Sequence, residues 1–326
     1  MTKSDKNFSR MAQEQLSEFA VIINSKSEKD IKRISMYRGV GKAMEKIILL
    51  TESGSDLPLD LVKLHNIQVV PMHVIMGDKS YADGSIEVTD VYDYYQRTKK
   101  VPSTSATNSD EYQDAFKGIT EENPGCIIIH VGYSSKPSCS YQNSIIGSEG
   151  MENVYHADAL NVTGGLAAVV LKAVELIEKH PDMLPNDLVK SIERYAAKAR
   201  LSFIPGDLVY LKAGGRVSNA AYLGGTLLQL KPMIEIVNGE LVSTKKYRGK
   251  ISNIVEKYMR EYINRYHMDK EIIYLMHSLG LEEHIKHHME RIAKEEDFKK
   301  IIWIQAGCMI SSHSGPGGIG MAAFEK

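Results

Sequence analysis

The chain has 326 residues, 43% of them hydrophobic and 25% charged, with a formal net charge of −1. That length fits two domains or one large α/β unit, and the near-neutral balance excludes a nucleic-acid surface built on bulk charge. No apolar run approaches the ~20 residues of a membrane span, and the polar start "MTKSDKNFSRMAQEQ" lacks the apolar core of a signal peptide, so the cytoplasm is the expected compartment. Residues 1–45 are charged and rich in Ser and Lys, and they read as a helical extension with helices near "MAQEQLSEFAVIIN" and "DIKRISMYRGVGKAMEK". From residue 46 the pattern becomes regular. "KIILLTESGSDLP" runs a short apolar strand into a turn, with a helix starting near Pro58. "IQVVPMHVIM" reads as one strand. "TDVYDYYQRTKK" is helical with Thr89 as its N-cap, and "SDEYQDAFKGI" is helical with Ser109 as cap and acids in its first turn. "CIIIHV" is a strand. This alternation predicts an N-terminal α/β domain over residues 46–160 with a mostly parallel sheet.

Residues 161–326 read as a second α/β domain. "VTGGLAAVVLKAVELIEKH" and "NDLVKSIERYAAKAR" are helices. "MIEIVNGELVS" is the strongest hairpin, because Asn238-Gly239 suits a type I′ turn. The helix "ISNIVEKYMREYINRY", the strand "EIIYLMHS", the helix "EEHIKHHMERIAKEE", the strand "IIWIQAG" and a last strand near "GIGMAAF" follow. Hairpins mixed with helices predict a mixed sheet.

Four polar stretches stand out. "HVGYSSKPSCSYQNS", residues 130–144, follows an apolar strand and is crowded with serines. Lys136 stands where a nucleophile elbow would need its second glycine, which argues against a serine hydrolase. The plain alternative is a polar loop with Ser138 or Ser140 capping the next helix. "VPSTSATNSDEY" sets Thr104, Ser105 and Thr107 at the mouth of a helix, where hydroxyls and free N–H groups can hold an anion, although capping alone needs one of them. "YLKAGGRVSNAAYLGG" places Arg216 after two glycines and before a helix-like stretch. A guanidinium there can pair with a carboxylate or phosphate, or simply be solvated at a helix start. "SSHSGPGGIG" contains Gly315, Gly317 and Gly320 at dinucleotide-fingerprint spacing, but only six residues follow, so no crossover unit fits; the glycines instead shape a turn that aims His313. His284, His287 and His288 share helical metal spacing but sit among Lys and Glu, which favours a solvated face. "GVGKA" lacks the remaining residues of a P-loop. Cys126, Cys139 and Cys308 are too scattered for a disulfide framework or a zinc pattern.

Taken in order, "TESGSDLP", "VVPMHV" with "SYADG", "STSATNSDEYQDAF", "SSKPSCSYQNS", "YLKAGGRVS", "GGTLLQLKPMIEI" and "SSHSGPGG" resemble the DegV family of fatty-acid-binding proteins, which includes the acyl-carrier B subunit of bacterial fatty acid kinase. The resemblance covers residues 46–326. It implies two α/β domains with one long-chain fatty acid enclosed between and within them. It also implies that Thr104, Ser138, Arg216 and His313 hold the carboxylate, with Ser105, Cys139, Ser140 and Ser314 beside them. The departures are Ala106-Thr107 for Gln-Pro, Glu52 for an Asp, and Pro137, Cys139 and Ser140 in the serine loop. An implied ATP-dependent kinase subunit would phosphorylate the bound carboxylate. The chain itself would then be a carrier rather than an enzyme, needing no cofactor, metal or nucleic acid and making at most transient contact with membranes.

A fatty acid also makes sense of such a constellation physically. Its tail gains ~0.8 kcal/mol per buried CH₂, while its carboxylate needs donors to replace lost water. Two hydroxyls, an arginine and a histidine supply donors without a metal. Competing readings are a storage or sensor protein without a kinase, and a Ser/His acyl hydrolase using Ser138 and His313.

Overall fold

The computed structural model describes residues 46–217 and 230–326. The helices expected in residues 1–45 and the helix-like stretch expected beyond Arg216 lie outside the described residues. In chain order the first part runs β1 (Ile47–Glu52), a 3-10 turn (Ser53–Ser55), α1 (Leu59–Leu64), β2 (Gln68–Val70), β3 (His73–Met76), β4 (Lys79–Ala82), α2 (Val88–Thr98), β5 (Ser103–Ser105), α3 (Ser109–Glu122), β6 (Ile127–Gly132), α4 (Ser140–Gly147) and β7 (Val154–Asp158). There follow α5 (Thr163–Lys179), α6 (Pro185–Ala196), β8 (Ala199–Ile204), α7 (Leu208–Gly214), β9 (Leu230–Val237), β10 (Glu240–Arg248), α8 (Ile251–Arg265), β11 (Ile272–His277), α9 (Glu283–Glu295), β12 (Lys300–Gln305), α10 (Cys308–Ser314) and β13 (Ile319–Phe324).

The fold is α/β with one parallel and one mixed sheet. The parallel sheet has the order β2-β1-β6-β7. Its central strands are apolar on both faces because helices cover both. Ile48, Leu50 and Ile128 pack with Tyr112 and Phe116 of α3. Leu49, Ile129 and Val131 alternate with them and pack in the cluster that holds Leu166 and Val170 of α5. The mixed sheet has the order β10-β9-β8-β13-β11-β12, antiparallel except for β11 with β12. Tyr258 and Met259 of α8, with Met289 and Ile292 of α9, cover one of its faces against Ile273, Leu275 and Met321. On the other face lies α5, which also touches β1 and β6, so this one helix is a layer shared by both sheets. Residues 45–326 accordingly cluster as one compact unit. Among the described residues no helix is long and apolar enough to cross a membrane.

The Asn238-Gly239 hairpin forms as expected, with φ of 51° and 85° and Val237 paired with Glu240. Three other expectations change. "IQVVPMHVIM" is two strands, not one. Pro71 has no N–H to continue a ladder, so β2 ends at Val70 and β3 joins a separate antiparallel sheet of order β4-β3-β5. The cap of α2 is Glu87, which exchanges bonds with Asp90, and Thr89 lies inside the helix. The cap of α3 is Asn108, one residue before Ser109: its side chain accepts the Glu111 N–H at 2.9 Å, and Glu111 accepts the Asn108 N–H at 2.9 Å. That reciprocal pair fills two of the helix's unpaired donors, which one serine hydroxyl would not.

Candidate functional site

Separate elements carry the four singled-out residues. Thr104 is the middle of β5, paired with Val74 of β3. Ser138 lies in the loop between β6 and α4, Arg216 follows α7, and His313 stands in the last turn of α10. All four line one cavity, about 930 Å³ of atom-free space that is in part continuous with solvent. Its remaining walls are chiefly apolar, with Met72, Val162, Phe203, Leu211, Met276 and Met309 among them. Thr104 and Ser138 are half-buried and Arg216 is exposed, so the polar groups form a pole on the outer side of an apolar chamber.

At that pole Thr104 Oγ1 lies 2.8 Å from His313 Nε2. Burial first, and the Arg216 guanidinium second, push the His313 pKa down to about 4, so the imidazole is neutral at pH 7. Its other nitrogen faces Gly214: a Cβ on that residue would stand 2.2 Å from His313 Nδ1. Arg216 Nη1 donates to the Gly214 carbonyl at 2.7 Å. One glycine thus makes room for the imidazole and tethers the guanidinium. Ser138 Oγ accepts the Ser140 N–H at 3.1 Å, so it also serves the first turn of α4, and its own hydrogen has no acceptor among the described residues.

One local expectation is extended and one is corrected. Arg216 follows the C-terminus of α7, after Gly215 at φ 65°, and the helix-like stretch expected beyond it lies outside the described residues. A cation there suits the helix dipole, so its charge needs no ligand to explain it. His313 is placed by α10 itself, and the glycine turn, with Gly315 at φ 65°, comes after it. Ser105 and Ser314 line the cavity, whereas Cys139 and Ser140 do not. Cys139 is an exposed thiol touched by Asn143 Nδ2 at 3.7 Å, and Ser140 is buried against the Tyr112 hydroxyl at 2.9 Å. His284 and His288 pair with Glu282 at 3.2 Å and Glu256 at 3.4 Å. Among the described residues no His, Cys, Asp and Glu group is arranged to hold a metal.

Sequence reasoning missed what holds α10. The Gly307 N–H donates to Asp56 Oδ1 at 2.8 Å, and the Met309 N–H to Asp83 Oδ1 at 3.2 Å. Asp56 Oδ2 also lies 2.5 Å from Thr163 Oγ1, on a residue of the cavity wall. Burial pushes the Asp56 pKa up to about 8, against the bonds from Thr163 and Gly307, and nearby Asp83 adds to the rise. The partners are 251 positions apart, so no local pattern could have shown them.

Fold and cavity together define a class: an α/β protein of two main sheets with a chiefly apolar cavity whose wall also carries hydroxyls, an imidazole and a guanidinium. More narrowly, the chain belongs to the DegV family, whose model, described as uncharacterised protein, DegV family, matches residues 46–326. A DegV domain-containing protein of Clostridium acetobutylicum is 31% identical over 288 residues, 87% of this chain and 100% of its own. A fatty-acid-binding DegV family protein from Thermus thermophilus has a TM-score of 0.77 at 24% identity, over 86% of this chain and 100% of that one. The fatty acid kinase (Fak) B3 protein of Streptococcus pneumoniae, loaded with linoleic acid, has a TM-score of 0.73 at 19% identity, over 86% and 100%.

Proposed function

We propose that this chain is a cytoplasmic carrier that encloses one long-chain fatty acid and presents its carboxylate to an ATP-dependent kinase subunit, which forms the acyl phosphate. The observation that carries this reading is the polarity of the cavity, with apolar walls inside and Thr104, Ser138, Arg216 and His313 at the solvent side. A tail gaining ~0.8 kcal/mol per CH₂ is worth on the order of 10 kcal/mol gross, ample for retention. The carboxylate would receive hydrogen bonds from the free Ser138 hydroxyl and the guanidinium, with Thr104 and His313 completing the set. Family relatives described as binding fatty acids, one of them a fatty acid kinase component, support the same reading.

In this proposal the acyl chain is the only ligand, and no metal or nucleotide is bound. The division into lobes near residue 160 belongs to it as well, with the lipid lying across the boundary. The hydrolase alternative fits less well. A histidine with its pKa near 4 is a poor general base at neutral pH, and its hydrogen-bond partner is Thr104 rather than Ser138. Organic extraction of purified protein followed by mass spectrometry tests the binding. About one C14–C20 fatty acid per chain is expected, and extracts without fatty acid, together with no binding of added oleate or palmitate, would refute it. Acyl-phosphate formation on the loaded protein by a purified fatty acid kinase separates the carrier from a storage protein or sensor.

A further inference from the structure

The serine loop, residues 133–139, leaves β6 and enters α4 with Ser138 near its end. Both of its ends lead to the same buried atom group. At the start, the Tyr133 backbone N–H donates to Glu52 Oε2 at 2.8 Å. At the finish, Ser140 Oγ meets the Tyr112 hydroxyl at 2.9 Å, and that hydroxyl donates to Glu52 Oε1 at 2.5 Å. Ser138 Oγ in turn accepts the Ser140 N–H at 3.1 Å, so the position of Ser138 follows that of Ser140. We propose that Glu52 is a positioning residue that clamps both ends of the serine loop and thereby sets where the Ser138 hydroxyl stands at the cavity pole.

The chemistry of Glu52 suits a clamp. It is wholly buried, and no part of it lines the cavity. Three donors converge on it: Tyr112 OH, the Tyr133 N–H and His130 Nε2 at 3.2 Å. A carboxylate offers lone pairs on both oxygens to such a set, whereas an amide would turn an NH₂ toward one of the donors. Burial by itself would raise the Glu52 pKa, but the His130 charge and the donated hydrogen bonds outweigh it and hold the carboxyl below its ordinary range. Behind His130 a relay of neutral groups closes the network. His130 Nδ1 meets Ser144 Oγ and His156 Nδ1, each at 3.1 Å, and His156 Nε2 meets Ser148 Oγ at 2.9 Å. Ser144 and Ser148 belong to α4 and its end, so the same network holds the helix that follows the loop. A fixed loop matters because a donor held in place beforehand does not have to be ordered when the ligand arrives.

Three variants test the clamp: Glu52→Gln, Tyr112→Phe and Ser138→Ala, alone and paired with Glu52→Gln. Amide hydrogen exchange at Tyr133 and Ser140, measured on the full chain without added lipid, reads the clamp directly. Glu52→Gln is expected to speed exchange at both amides. Tyr112→Phe, which keeps the ring and removes only the second arm, is expected to speed exchange at Ser140 and spare Tyr133. Oleate affinity supplies the functional readout and alone rests on the fatty-acid reading. About a tenfold loss is expected for Glu52→Gln, equivalent to about 1.4 kcal/mol, with little further loss when Ser138 is already alanine. Wild-type exchange at both amides in Glu52→Gln would overturn the inference, as would an equal loss of affinity with and without Ser138. Should the wild type bind no oleate, the fatty-acid reading fails while the exchange pattern still decides the clamp. Should Glu52→Gln not fold, the one-armed exchange pattern of Tyr112→Phe decides it, and unchanged exchange at Ser140 there counts against the clamp.

Discussion

Glu52 and Asp56 sit four positions apart, on either side of one 3-10 turn, and both are buried. Each supports one half of the cavity pole, Glu52 through the serine loop and Asp56 through α10. Their acidities nevertheless move in opposite directions. The pKa of Glu52 lies below its ordinary value, and that of Asp56 rises to about 8. Burial opposes the charge in both cases. The difference is the company: Glu52 has three donors, the Tyr112 hydroxyl, the Tyr133 N–H and His130, whereas Asp56 has Thr163 and Gly307 as donors and another carboxylate, Asp83, nearby. Burial sets the cost of a charge, and the groups packed around it decide whether the charge survives.

The largest effect should come from removing the carboxylate whose pKa is held down. Glu52→Ala leaves three buried groups, the Tyr112 hydroxyl, the Tyr133 N–H and the His130 ring, without their acceptor and should lower unfolding free energy at pH 7 by ~3–5 kcal/mol in urea titrations. Because the folded pKa of Glu52 is depressed, its contribution is present above the ordinary carboxylate range and disappears as pH falls through the folded value. The gap between wild type and Glu52→Gln should therefore narrow in acid.

Asp56→Asn should show the opposite slope. The folded state keeps a proton that the unfolded chain releases above pH 3.8, so wild-type stability falls as pH rises toward 8. Asparagine does not titrate. Relative to wild type, Asp56→Asn should gain roughly 2–3 kcal/mol between pH 6 and pH 9, at ~1.4 kcal/mol per pKa unit. A pH-independent difference between the two would show that Asp56 is already ionised at neutrality.

A smaller effect is expected where the two supports meet the pole. Gly214→Ala drives a methyl group into the ring that α10 presents, and oleate affinity should fall about tenfold. The loss should vanish in a His313→Ala background, which a general weakening of α7 would not allow. The smallest change concerns Arg216, which is exposed. Arg216→Lys keeps the charge and loses the fork, and on an exposed group that is worth ~1 kcal/mol or less. In the same experiments, NMR titration of His313 should give a midpoint near 4 without lipid. Added oleate should move it upward, because a bound anion favours the imidazolium.

Much of the ladder of helices and strands was legible in the sequence because periodicity and turn chemistry are local, although β4, β5, β7, β8, α7 and α10 went unread. Asn238-Gly239 and the apolar run "CIIIHV" gave their elements directly. Even the misplaced cap of α3 had its signal, since Asn108 and Glu111 carry capping-box spacing beside the more conspicuous Ser109. Likewise Gly215 marks the end of α7, which would have put Arg216 after a helix. The split at Pro71 was visible as a proline inside a supposed strand. The site was legible only in part. Motif resemblance named Thr104, Ser138, Arg216 and His313, and they line one cavity, though their contact with a ligand is still a proposal. Glu52 was noticed merely as an unexpected acid. Asp56 with Gly307, and Gly214 with His313, are contacts made by tertiary folding, and no spacing rule reports them.

The shared helix α5 has a bearing on synthesis. Strands β1, β2, β6 and β7 all precede it in the chain, so the parallel sheet can leave the ribosome complete in its strands while one face is still bare. Leu49, Ile129 and Val131 gain the cover of α5 only when Leu166 and Val170 arrive. That helix in turn has an uncovered face until β8, β11 and β13 exist, and β13 is the last of the described strands. A nascent chain would therefore carry sticky surface until β13 is made, which makes it a natural client for chaperones that bind exposed apolar sheets.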